Sequence, residues 1–183
     1  MSDIWNLTSY PAVERPDLLA APVKAALSAW PGPTPVTEVE VAEIDPDLAD
    51  TAAFCERYAS PLDASANCVV VAGKRGGEVR YAACMVLATT RADVNGVIRK
   101  RLDVRKASFA PQEDAVDLTN MEYGGITPLG VPESWPILID AAVVTTPRVV
   151  IGSGLRSSKL ALPGAALAEL PNAEIIEALA RPI

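Results

Sequence analysis

Histidine is absent from this 183-residue chain. That absence closes a large part of catalytic chemistry: there is no imidazole general base, no Ser-His or Cys-His dyad, and no histidine metal ligand. Aromatic residues are scarce at 5%, so the core has to be built from Ala, Val, Leu and Ile. The three cysteines, Cys55, Cys68 and Cys84, form no CxxC pair, which offers neither a zinc site nor a disulfide framework. A reduced, cytoplasmic protein is expected. The opening MSDIWNLTSY has no basic stretch followed by an apolar one and does not read as a secretory signal. The most apolar stretch, Ile137 to Ile151, is broken by Asp140 and Arg148 and is too short to span a bilayer. No motif asks for a metal ion or a cofactor, and no membrane partner is implied.

Apolar residues make up 50% of the chain and charged residues 21%, with 16 basic against 23 acidic and a net charge of −7. This is a globular composition of a length that suits one domain. The acidity argues against general affinity for nucleic acid, DNA included. One segment departs from it: Arg91 to Lys106 holds six basic residues, among them Arg91, Arg99 and Lys100, against two acidic ones. Such a run is either a local phosphate contact or the solvated face of a helix.

The pattern predicts mixed α and β structure. A helix is expected over Pro16–Trp30, kinked or delayed by Pro22. Alternation over Val36–Ile44 predicts a strand, and Asp45-Pro46 opens a helix over Asp47–Tyr58. The β-branched run from Asn67 to Ala72, the turn GKRGG and the run Glu78–Ala88 predict a central hairpin. Helical spacing follows over Thr89–Lys106, then a short strand over Val104–Phe109 and a short helix over Gln112–Leu118. Ile137–Asp140, Arg148–Gly154 and Leu160–Leu162 read as strands. Pro163–Leu170 and Ala173–Ala180 read as terminal helices.

Three features carry chemistry. GGITPLGVPESWP, Gly124 to Pro136, has three glycines and three prolines in thirteen residues; it is either an Ω-loop or a ligand loop whose bare N–H groups hold an oxyanion. GSG, Gly152 to Gly154, ends a strand without completing a dinucleotide or P-loop motif. Asp140 is a lone carboxylate within ILID, structural or functional. Cys68 and Cys84 lie in apolar runs and read as core.

Taken in order, these motifs resemble the YbaK/prolyl-tRNA-synthetase-associated editing domain family. TNMEYGGITPLG (Thr119 to Gly130) is similar to its Thr-Gly-Tyr segment and GGxxPxG loop, ILID to its following strand with an Asp, and GSGLRSSKLAL to its glycine turn. The resemblance runs from Asp47 to the C-terminus, with residues 1–46 as a lead-in, all within one domain over 1–183. It implies an α+β fold with a curved mixed sheet flanked by helices. It also implies hydrolysis of the ester of a mischarged aminoacyl-tRNA, acting in trans on the acceptor end, with a synthetase as a further partner and no cofactor. Where the family has a Lys before the first central strand, this chain has Asn67, and Asn120 and Met121 stand for the Gly and Tyr of the Thr-Gly-Tyr segment.

The resemblance makes Asn67, Gly125 and Asp140 the candidate catalytic residues. Thr119, Gly124, Ile126, Pro128, Gly130, Gly152 and Gly154 are candidate binding residues, and Arg91, Arg99 and Lys100 candidate tRNA contacts. Asn offers a neutral donor where Lys offers a charge. The alternative is therefore a non-catalytic module binding tRNA ends or an amino-acid-like ligand. Whether Lys74, Arg91 or Arg156 reaches the surroundings of Asn67 discriminates the two.

Overall fold

A computed structural model describes residues 1–183. The central hairpin forms as expected: β4 (Ala66–Arg75) and β5 (Glu78–Leu87) pair antiparallel from Ala66↔Leu87 to Arg75↔Glu78. Gly76 and Gly77 close it with φ of +57° and +87°, the two left-handed residues that a two-residue hairpin turn demands. Both faces of the hairpin are apolar because both are covered. Val70, Ala83 and Met85 point into one core cluster and Val71, Ala82 and Cys84 into another.

The hairpin sits in a mixed sheet ordered β11 (Ala173–Ile176), β8 (Ile137–Asp140), β5, β4 and β7 (Ala107–Phe109), with β5, β8 and β11 parallel. A second, antiparallel sheet is ordered β1 (Ser2–Ile4), β2 (Leu7–Pro11), β3 (Glu40–Glu43), β10 (Ser158–Leu162) and β9 (Val149–Gly152). A single parallel bridge, Ser65↔Val150, ties the two together. The largest core cluster lies between them, where Val41, Ile151 and Leu160 of one sheet meet Val70, Met85 and Ile139 of the other. Helices α1 (Ala21–Ser28) and α5 (Ala141–Val144) contribute Val23, Leu27 and Val143 to that cluster. Helix α2 (Thr51–Tyr58) covers the outer face of the antiparallel sheet with Phe54, Cys55 and Tyr58. Helix α4 (Gln112–Thr119) follows β7. No helix is long and apolar enough to cross a membrane.

Several expectations change. The first helix is delayed to Ala21, with Pro22 in its first turn, as a proline without an N–H prefers. Val36–Glu38 forms a 3₁₀ turn, so the following strand is only Glu40–Glu43. The long helix expected over Thr89–Lys106 is instead β6 (Thr90–Ala92), a π-type turn at Val94–Ile98 and the one-turn α3 (Arg99–Leu102). Asp93 accepts from the N–H groups of Gly96 and Val97, and Asp103 ends the run at φ +55°. In place of the helix expected over Pro163–Leu170 there is a 3₁₀ helix, Gly164–Glu169. The helix expected over Ala173–Ala180 is β11, followed by β12 (Ala180–Pro182), which pairs with β6. Parallel pairing of Ile175 and Ile176 with β8 outweighs local helical spacing there.

Candidate active site

The two sheets are bridged at Ser65↔Val150. Strand β7 covers the edge of β4 only at Val71–Gly73, with Ala110 N–H reaching Val70 O at 2.8 Å. The uncovered stretch of β4 opens onto a cavity of about 580 Å³, within the roughly 300–1,000 Å³ range of small-molecule sites. One wall is apolar, made by Val70, Ala110, Ala115 and Ile126. Gly124 and Gly152 supply bare backbone, and Phe109 and Tyr123 border the opening, 59% and 55% exposed.

Polar groups line the cavity as well, Gln112 at the start of α4 among them. Asn67 Oδ1 accepts a 2.7 Å hydrogen bond from Thr51 Oγ1, at the start of α2. Two charged residues line the cavity, Asp50 and Lys159. Lys159 stands on β10, opposite Gly152 of β9 and Ala42 of β3. Its Nζ donates to Ala49 O at 2.8 Å and lies 5.6 Å from the centre of the Phe54 ring. Burial pulls its pKa down to about 8; nearby Arg156 adds to the fall, and Asp50 and Cys55 oppose it. Cys68 borders the same space, but burial pushes its thiol up to about 12, so it is not a thiolate nucleophile at neutral pH.

A model of the family described as "aminoacyl-tRNA editing domain" matches residues 45–170. The chain belongs to the aminoacyl-tRNA editing domain family. No curated protein sequence matches it. Among solved structures, it is similar to one described as a candidate trans-editing enzyme for prolyl-tRNA synthetase, with TM-score 0.71 and 18% identity over 85% of this chain and 93% of that one. It is similar to a scaffold used for computational epitope grafting, with TM-score 0.71 and 18% identity over 86% and 95% of the two chains. A hypothetical protein follows with TM-score 0.63 and 17% identity over 70% and 83%. At these identities the likeness is one of fold, a mixed sheet and an antiparallel sheet with helices around them.

In this editing domain the structure brings Asn67, Gly124, Ile126 and Gly152 together around one cavity. It does not bring the other sequence candidates there. Gly125 is buried beneath the loop, and its N–H donates to Glu122 O at 3.0 Å, so it has no free donor for an oxyanion. It is glycine because a Cβ would come within 2.6 Å of Leu155 O. Gly154, at φ +86°, donates to Gly125 O at 2.7 Å and accepts from Glu122 N; the two glycine loops are thus joined backbone to backbone. Gly130 packs on the Pro22 carbonyl, and Pro128 is buried. Thr119 Oγ1 donates to Ala115 O inside α4. Asp140 is spent structurally: Oδ1 accepts from Ala142 N and Oδ2 from Ala180 N, both at 2.9 Å.

Arg91 lies in the β6–β12 ribbon, and Arg99 Nε donates to Asn95 O. Neither they nor Lys100 border the cavity. Of the cations considered for the surroundings of Asn67, Lys74 is in the distal end of the hairpin, and Arg156 binds Tyr123 O and Pro46 O, each at 3.1 Å. Lys159 escaped the sequence reading. Its signal is of the same kind as that of Asp140 in Ile137–Asp140: a lone charge in a short, otherwise uncharged strand, here Ser158–Leu162.

Proposed function

We propose that the protein hydrolyses the ester of mischarged aminoacyl-tRNA in trans. The observation that carries this reading is the cavity at the uncovered edge of β4, which brings apolar side chains together with Asn67 and a bare-backbone loop. The aminoacyl group would lie against Val70, Ala115 and Ile126, a surface suited to a small side chain. The terminal adenosine would stack at the opening on Phe109 and Tyr123, aromatic faces of the kind that bind unpaired bases.

The family resemblance implies substrate assistance, which suits a chain without histidine: water acts with help from the vicinal hydroxyl of the substrate's own ribose. Water attacks the ester carbonyl, the carbon–oxygen bond to the ribose breaks, and the proton lost by water ends on the departing ribose oxygen. The amides of Gly124 and Ile126 have no acceptor within the protein and would hold the oxyanion in place of the amide of Gly125. Asn67, held through Oδ1 by Thr51, would offer its amide N–H groups to the ester or ribose. The basic segment packs beyond β7 through the Val94–Ile98 turn; there Arg91, Arg99 and Lys100 would meet acceptor-stem phosphates.

Deacylation of Cys-, Ala- and Pro-linked tRNAs by the wild type and Asn67→Ala tests this. Turnover of one of them, reduced in the variant, supports it; no turnover of any rejects it. Binding of free amino acid without ester turnover would instead favour a non-catalytic module, since a buried lysine can also take a free carboxylate.

A further inference from the structure

We infer that Lys159 is the cation of this site, placed to hold the ester carbonyl oxygen as it becomes an oxyanion. The inference rests on the hydrolase reading above and assigns a role to a residue that reading does not require.

Lys159 is the only basic residue lining the cavity, and several contacts fix it there. Its backbone is held on both sides, by β3 and β9. Its strand neighbours Ser158 and Leu160 are fully buried, which sends its own side chain the opposite way. The ammonium has three donors and a single protein acceptor, Ala49 O, so two remain for a ligand. The Phe54 ring sits against it at 5.6 Å, an arrangement that steadies a cation without neutralising it. Lys159, Asn67 and Thr51 also wall a crevice of about 20 Å³ at the cavity floor, so the charge and the amide converge on one region.

The other charges nearby do not compete for the role. Arg156 does not line the cavity; it is engaged by two carbonyl oxygens and lies 4.0 Å from Asp50, whose side chain is 79% exposed. Cys55, on α2, bonds Ser65 Oγ. A fixed cation in a poorly solvated cavity acts strongly on charge that develops during reaction. Here the carbonyl oxygen gains its charge when water adds to the carbon and loses it when the bond to the ribose oxygen breaks. The ammonium keeps its protons throughout.

The test is deacylation kinetics for wild type, Lys159→Met and Lys159→Arg, with a tRNA the wild type hydrolyses, from pH 6.5 to 9.5. The expected result is a loss of about 100-fold or more in kcat for Lys159→Met, with KM within about threefold. Lys159→Arg should retain part of the rate, and thermal melting should show both variants folded. The wild-type rate over the spontaneous one should decline as pH passes about 8, and the decline should vanish in Lys159→Arg. A Lys159→Met enzyme with wild-type kcat overturns the inference and leaves the hydrolase reading standing, as does an effect on KM alone. A wild type that hydrolyses no aminoacyl-tRNA overturns the hydrolase reading, and the role of Lys159 with it.

Discussion

Thr51 Oγ1 donates to Asn67 Oδ1 at 2.7 Å, linking the first turn of α2 to the uncovered edge of β4. The bond uses the acceptor of the Asn67 amide and leaves its two N–H donors for a ligand. Thr51→Val keeps the shape and removes the donor, so Asn67 loses its orientation. The deacylation rate should fall by about 3- to 10-fold, the worth of one hydrogen bond of roughly 1 kcal/mol, and Thr51→Ser should restore it. Single-turnover kinetics on the wild type and the two variants measure this.

The glycines of the two joined loops divide by what they touch. At Gly152 a Cβ would lie 2.4 Å from Gly125 O, and at Gly125 one would lie 2.6 Å from Leu155 O. Backbone cannot swing aside as a side chain can, so Gly125→Ala and Gly152→Ala should each lose about 1–3 kcal/mol of stability. Urea unfolding reads the loss.

Asp140 satisfies two N–H groups, of Ala142 and Ala180, and borders no part of the cavity. Asp140→Ala leaves both donors without their partner and should cost about 1–3 kcal/mol. The kcat of the folded fraction should stay at the wild-type value. A large fall in kcat at unchanged stability would return Asp140 to the reaction.

Lys159 gives a stability signature of its own. Its pKa is near 8 in the folded chain against 10.5 when free. Between those values the unfolded chain binds more protons than the folded one, so this residue makes stability rise with pH across that window. Below pH 8 both states are charged and the burial penalty is present in full. The urea midpoint of wild type relative to Lys159→Met should therefore climb from pH 7.5 to 10 and be flat from pH 6 to 7.

What could be read from the sequence was what neighbouring residues decide. The β4–β5 hairpin followed from β-branched runs around Gly76 and Gly77, and the glycine-proline loop from its own composition. The strands after it followed from short apolar runs. The terminal strands β11 and β12 were not legible, because their partners, β8 and β6, are distant in sequence and the local spacing of Ala173–Ala180 is helical. The site was half legible for the same reason. Asn67, Gly124, Ile126 and Gly152 came from motifs, but which glycine N–H is free depends on the turn that ties Gly125 to Glu122. Lys159 reaches the cavity only because β10 lies beside β9, with the turn before α2 supplying Ala49 O and α2 the Phe54 ring.

The most direct measurement is the single-turnover rate at which the purified protein releases amino acid from a panel of mischarged tRNAs, in water enriched in heavy oxygen. The account predicts release well above the spontaneous rate for a small residue, with the label in the carboxylate of the freed amino acid and the rate reduced in Asn67→Ala. Spontaneous rates across the whole panel would contradict it.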